Sequence, residues 1–241
     1  MKKYVFLLLT LLSSHAQAQT PSQILQLNYE GYTVWVDCLM RGAMKFQYTL
    51  QADIADYPRS SSFYIDKTVP RECQQLSTSA YGLGYDRGHL VAANHMDFSA
   101  IAVKQSNIMV NVMPQTATLN RGAWQRTEII SDCYRDIEPL LIIGGVIWGD
   151  YASDDYFLES HGVATPDAFW KVIIRGSGAD QRAIAWIVPN SDDANSAALD
   201  KYIVSVEELE VATDEVIPVA DYVKYEKPSQ SCIVPYGCNR S

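Results

Sequence analysis

Tyr85-Asp86-Arg87-Gly88-His89-Leu90 opens a segment that continues through Asn111-Val112-Met113-Pro114-Gln115 and ends at Leu119-Asn120-Arg121-Gly122-Ala123-Trp124-Gln125-Arg126-Thr127-Glu128. It puts one histidine inside a tight Asp-Arg-Gly-His string, a proline inside a polar run, and an asparagine at the head of a helical pattern. A proton acceptor, a phosphate-seeking guanidinium and neutral oxygen ligands for a hard cation are gathered here and nowhere else in the chain. Hydrolysis of a phosphodiester asks for that set. Imidazole, with an ordinary pKa near ~6.5, can deprotonate water. Arginine can clamp a phosphate with two parallel hydrogen bonds, and Mg²⁺ can act as a Lewis acid.

Outward from this segment, residues 120–138 read as a helix. Ala123, Thr127, Ile130, Tyr134 and Ile137 recur at spacings of four and three, and Pro139 stops the pattern. Asn120 is either its N-cap or a cation ligand. Asn120, Trp124 and Glu128 fall four apart, on one side of that helix. Residues 140–148 form a continuous apolar run, the mark of a buried strand. Tyr32–Cys38, Met44–Leu50, Phe169–Arg175 and Ala183–Pro189 are rich in β-branched and aromatic residues and read as further strands. Residues 19–28 read as a linker and an edge segment, and Ser205 caps a short amphipathic helix running to Val211. With no repeat and no dividing linker, the pattern implies one mixed α/β (α+β) domain around a central antiparallel or mixed sheet, spanning 19–226, with a Cys-containing tail at 227–241.

The beginning of the chain reads as a secretory signal. Lys2 and Lys3 precede the apolar stretch Val5–Leu12, and Ala16-Gln17-Ala18 is a small-x-small cleavage site. The expected mature chain starts near Gln19 and is secreted or periplasmic, with no membrane association after cleavage. The formal charge of −9 argues against a broadly basic nucleic-acid binder, and it deepens when the two signal lysines are lost. A polyanion would have to be met by a local positive patch.

Five cysteines in an exported chain imply disulfides. Cys232 and Cys238 bracket a Pro-Tyr-Gly turn and can pair locally. Cys38, Cys73 and Cys133 then allow one further bridge and leave a thiol over. No two cysteines show zinc-ligand spacing.

The ordered strings Asp86-Arg87-Gly88-His89, Asn111-Val112-Met113-Pro114-Gln115 and Leu119-Asn120-Arg121-Gly122-Ala123-Trp124, with Glu128 after, resemble the DNA/RNA non-specific endonuclease family, which includes mitochondrial endonuclease G and secreted bacterial nucleases. The likeness extends more weakly from about Leu25 to Val223. It implies a ββα-metal site in which His89 is the general base, Asn120 the direct Mg²⁺ ligand (Mn²⁺ substituting), and Glu128 the group that orients metal-held water. It further implies that Asn111 supports the site geometry and that Arg87 and Arg59 hold phosphate, with Arg121 and Arg126 as further substrate contacts. The implied substrates are DNA and RNA, cut with little base preference to leave 5′-phosphate ends. A weakly catalytic nucleic-acid-binding domain and a small-molecule phosphodiesterase are the alternatives. One departure is Asn94-His95-Met96-Asp97, where the family more often has an acidic or small residue directly. Structural roles are expected for His95 and His161. The oligomeric state stays open, a homodimer among the options.

Overall fold

The computed structural model describes residues 23–149 and 155–238. The expected signal segment and its cleavage site lie outside the described residues.

Seven strands form one sheet in the order β1-β2-β3-β6-β7-β8-β9, every neighbouring pair antiparallel. These are β1 (Ile24–Tyr29), β2 (Tyr32–Asp37), β3 (Gly42–Leu50), β6 (Leu140–Ile147), β7 (Ala168–Arg175), β8 (Arg182–Pro189) and the short β9 (Ile203–Val204). The expected strands are all present, and the stretch before Tyr32 forms the edge strand β1. Successive side chains on a strand point to opposite faces. In β6 and β7 both faces are buried, hence the unbroken apolar sequence of β6 and the apolar sequence of β7, interrupted by the buried Lys171. Ile142 and Ile173 enter one core, while Ile143, Val172 and Ile174 enter the other. Helix α4 (Val206–Thr213) covers the second face through Val206 and Leu209. Its Ser205 makes the expected N-cap, completed by Glu208 into a reciprocal capping box.

The first face carries the functional segment. β4 (Tyr85–His89) and β5 (Val112–Thr116) form a separate two-stranded antiparallel ladder, with α1 (Ala100–Ser106) in the connection between them. β5 runs straight into a helical stretch that differs from the expected 120–138. It begins earlier, as α2 (Ala117–Leu119), and Thr116 caps it by accepting from the Leu119 amide. Asn120 is therefore inside the helical path and is not its cap. Residues Asn120–Trp124 form a widened π-helical turn, broken at Gly122, and α3 (Gln125–Arg135) follows. The helix ends before Ile137, which is 64% exposed. The reason for the break is steric. A Cβ on Gly122 would lie 2.9–3.0 Å from backbone atoms of Ala194, Asn195 and Ser196, and the Ala123 amide donates to the Ala194 carbonyl.

The disulfides also differ from the local pairing the spacing allowed. Cys38 pairs with Cys73 and Cys133 with Cys238, leaving Cys232 free. The tail is thereby stapled to α3, and the Tyr134 hydroxyl donates to the Ile233 carbonyl.

Gly122→Ala is expected to lower stability by about 1–3 kcal/mol, the usual cost of overpacking against atoms that cannot yield. A melting temperature equal to that of the wild type would show that the 194–196 segment moves aside freely.

Candidate active site

β4 delivers His89, and its ring is fixed from one side. Asn107 just after α1 donates its amide Nδ2 to the carbonyls of Ser60 (2.7 Å) and Ser62 (3.2 Å). Its Oδ1 must then face His89 Nε2, at 2.8 Å. An oxygen acceptor there requires the proton on Nε2, so Nδ1 carries the lone pair. Phe63 packs on the ring at 5.5 Å between centroids. Although part of its surface stays accessible, burial lowers the His89 pKa to about 4; the Asn107 bond opposes this, and the Arg59 and Arg87 charges add to it. The imidazole is neutral at pH 7, as a base must be.

The π-helical turn delivers Asn120. Its amide Nδ2 donates to Asp86 Oδ2 at 3.0 Å, which leaves Oδ1 as a pure acceptor. Asp86 is itself gripped by Arg121, with Nε on Oδ2 at 2.8 Å and Nη2 on Oδ1 at 2.7 Å. Burial raises the Asp86 pKa, but these hydrogen bonds from Arg121 and Asn120 outweigh it and hold the group below the usual carboxylate range. Asp86 thus neither orients an imidazole nor caps a backbone amide; it orients Asn120.

Glu128 sits half-buried on α3, and burial pushes its carboxyl up while the Lys171 ammonium opposes the rise most strongly. Lys171 is buried, with Nζ 2.8 Å from Thr127 Oγ1 and 3.8 Å from the centre of the Trp124 ring. Among the described residues no three His, Cys, Asp or Glu side chains converge as a metal cluster. The donor set fits Mg²⁺ nonetheless, since that ion takes few protein ligands and keeps several waters. Asn120 Oδ1 would hold it directly, and Glu128 would act through water.

Two clefts flank these groups. One is lined by Phe63, Ala80, Tyr85, Asp86, Arg87, Asn120 and Arg121. The other contains Arg59, Gln125 and Glu128 together with Asn94, Asp97 and Asp132. Arg87 stacks on Phe63 at 4.0 Å and donates to the Thr78 carbonyl, keeping its remaining donors. Arg59 is exposed and makes no ion pair among the described residues, while its charge reaches both His89 and Glu128. Of the two other expected contacts, Arg121 lines the first cleft and pairs with Asp86, and Arg126 lines neither of these two clefts, since two residues along α3 turn it away from Glu128.

Asn111 is fully buried and never reaches the clefts. Its Oδ1 accepts from the Val91 amide, and its Nδ2 donates to the carbonyls of Val91 and Ser106. It supports the geometry by locking the chain that leaves His89. Gln115 is buried against Gly88, where a Cβ would strike it, and its amide finds no hydrogen-bond partner among the described residues.

Asn94 and His95, the departure from the family pattern, tie the same chain to α3. His95 shares a hydrogen bond with the Tyr48 hydroxyl at 2.6 Å and stands 3.0 Å from Asp132, which accepts from Asn94. His161 is likewise buried, between Ser160 and the Ser79 carbonyl. Asn107 went unnoticed in the sequence; it lies outside the quoted strings, and only folding brings it to the imidazole.

The model of the DNA/RNA non-specific endonuclease family matches residues 13–226. The chain belongs to that family. Its members are metal-dependent nucleases. Mitochondrial endonuclease G of Bos taurus is 27% identical over 76% of this chain and 65% of its own length. A nuclease of Nostoc is 32% identical over 64% of this chain and 58% of its own, and the mitochondrial nuclease EXOG of Xenopus laevis 28% identical over 61% and 44%. The match thus spans less than two thirds of these relatives. A solved complex of EndoG with EndoGI superposes with a TM-score of 0.65 at 22% identity, covering 82% of this chain and 87% of that one, and shows the shared fold.

Imidazole ¹⁵N shifts of the wild-type protein should report His89 as the Nε2–H tautomer at pH 7. An Nδ1–H tautomer would refute the role given to Asn107.

Proposed function

We propose that this protein is an exported, Mg²⁺-dependent endonuclease that hydrolyses DNA and RNA with little base preference, leaving 5′-phosphate ends. The observation that carries the proposal is the pairing of a neutral imidazole with a bare Nδ1 and an amide oxygen freed for a cation, on the two adjoining pieces of a ββα unit. Family membership and the similarity to named nucleases support it.

His89 Nδ1 takes the proton of a water molecule as its oxygen attacks phosphorus. Asn107 keeps accepting from Nε2–H, so the imidazolium that forms stays hydrogen-bonded in place. Arg59 and Arg87 offset charge on the non-bridging oxygens. Mg²⁺ held at Asn120 would supply Lewis-acid stabilisation of the negative charge that develops as the 3′ oxygen leaves. Glu128 would accept from water around the bound cation. Little base preference follows if contacts fall on phosphate and sugar.

Export is supported by the basic, apolar and small-residue pattern at the beginning of the chain and by two disulfides, which persist in oxidising compartments. Among the described residues no helix is long and apolar enough to cross a membrane.

Purified protein should nick plasmid and degrade RNA with Mg²⁺ and do neither with EDTA, and His89→Ala should lower the rate by at least about 10². Metal-independent cleavage, or full activity in His89→Ala, would overturn the proposal. The acid limb follows from the His89 shift. Because its pKa is lowered, the base stays neutral well below ~6.5, and kcat/KM should fall only near pH 4, below the ~6–7 expected of an ordinary histidine. The stability contribution has the same sign. It is complete above the unfolded pKa near ~6.5 and is lost as pH falls toward the folded value. A limb centred at the ordinary value would refute the buried-base assignment. Asp86→Ala should weaken Mg²⁺ binding by about 10–100-fold, measured by calorimetry, with melting little changed; undiminished affinity would show that Asn120 needs no such orientation.

A further inference from the structure

Beyond Arg87 the first cleft opens onto a pair of aromatic rings that the proposed chemistry does not use. Tyr85, Arg87 and His89 alternate along β4 and so line one side of it. Tyr85 lies roughly 13 Å from His89 along the strand. Its ring is braced by the buried Phe157 at 5.2 Å, edge to face. Tyr156 packs beside it at 6.1 Å with the planes 33° apart. Tyr156 is 61% exposed although it is a large aromatic. One ring is therefore held rigidly by the core, and the second extends it into solvent at the end of a cleft that already holds Arg87 and Asn120.

The charges around the pair limit what it can take. Asp167 and Asp192 stand close enough to Tyr85 to raise its pKa, after burial and Tyr156. Phosphate is therefore welcome at Arg87 and unwelcome at the tyrosines. A ligand that fits both places carries its charge at one point and offers a neutral flat ring at the next. A nucleotide of an unpaired strand does so. A duplex does not, because its bases are stacked inside.

We propose that Tyr85 and Tyr156 form a nucleobase-stacking subsite, with the base resting on the exposed face of Tyr156, which makes this protein bind single-stranded nucleic acid in preference to duplex. The inference rests on the nuclease reading for its place along the substrate. Stacking on an aromatic ring tolerates any base, which agrees with little base preference.

The test compares wild type, Tyr156→Ala and Tyr156→Phe on a short single-stranded DNA oligonucleotide and on its duplex. Tyr156→Ala should raise KM on the single strand about tenfold, with kcat and the duplex reaction unchanged, and Tyr156→Phe should behave as wild type. Fluorescence anisotropy of the labelled single strand in EDTA should show the same loss of affinity without any cleavage. Equal losses on single strand and duplex, or no loss on the single strand, would overturn the subsite. A wild-type protein that binds through Tyr156 but cleaves nothing would sink the nuclease reading and leave the subsite standing.

Discussion

The indole of Trp124 donates to the carbonyl of His89 at 2.9 Å, and this bond joins the two halves of the site. One partner belongs to the strand that carries His89, the other to the turn that carries Asn120. Trp124 is 1% exposed and meets Phe46 and Phe169 edge to face, so the join is anchored in the sheet. A reacting centre tolerates little displacement; an error of about 1 Å in a positioned group can cost a hundredfold in rate. Here the relative placement of His89 and Asn120 is referred to a ring that cannot move without opening the core. Lys171 lies over that ring, its pKa lowered to about 8 by burial and held up by Glu128 and Asp132.

Local pattern revealed the large sheet, because its strands are long and its two-sided burial writes itself as apolar runs. β4 and β5 were not visible in that way. Each has five residues, one with Gly88 inside it and the other with Pro114, and both residues speak against a strand when read alone. They became legible only as motifs. The helix was misplaced at its start because Asn120 is a good cap by type, while Thr116 does the capping, and because the break at Gly122 is imposed by a segment far along the chain. His89 and Asn120 stood out by residue type and order. Asn107, the hydrogen bond from Asn120 to Asp86 and the pairing of Arg121 with that carboxylate did not, since each is a contact across many residues. The pairing of Cys133 with Cys238 was hidden for the same reason.

Charge is distributed so that an acidic chain can still receive a polyanion. Guanidinium groups at 59 and 87 both act on the imidazole, whereas several carboxylates are paired: Asp86 by Arg121, Asp132 by His95 and Asn94, Asp53 by Arg135. Binding that depends on so few cations should weaken only modestly with each increment of salt, because few counterions are released.

Most proteins can lose their last residues without harm. Here the tail has a covalent tie, because Cys238 is joined to the helix that bears Glu128. A chain synthesised without Cys238 would leave the Cys133 thiol unpaired beside Tyr134, whose hydroxyl is already in contact with the unpaired Cys232. Such a molecule would hold two reduced sulfurs where the intact one holds one, a difference that a thiol-reactive dye can read after unfolding.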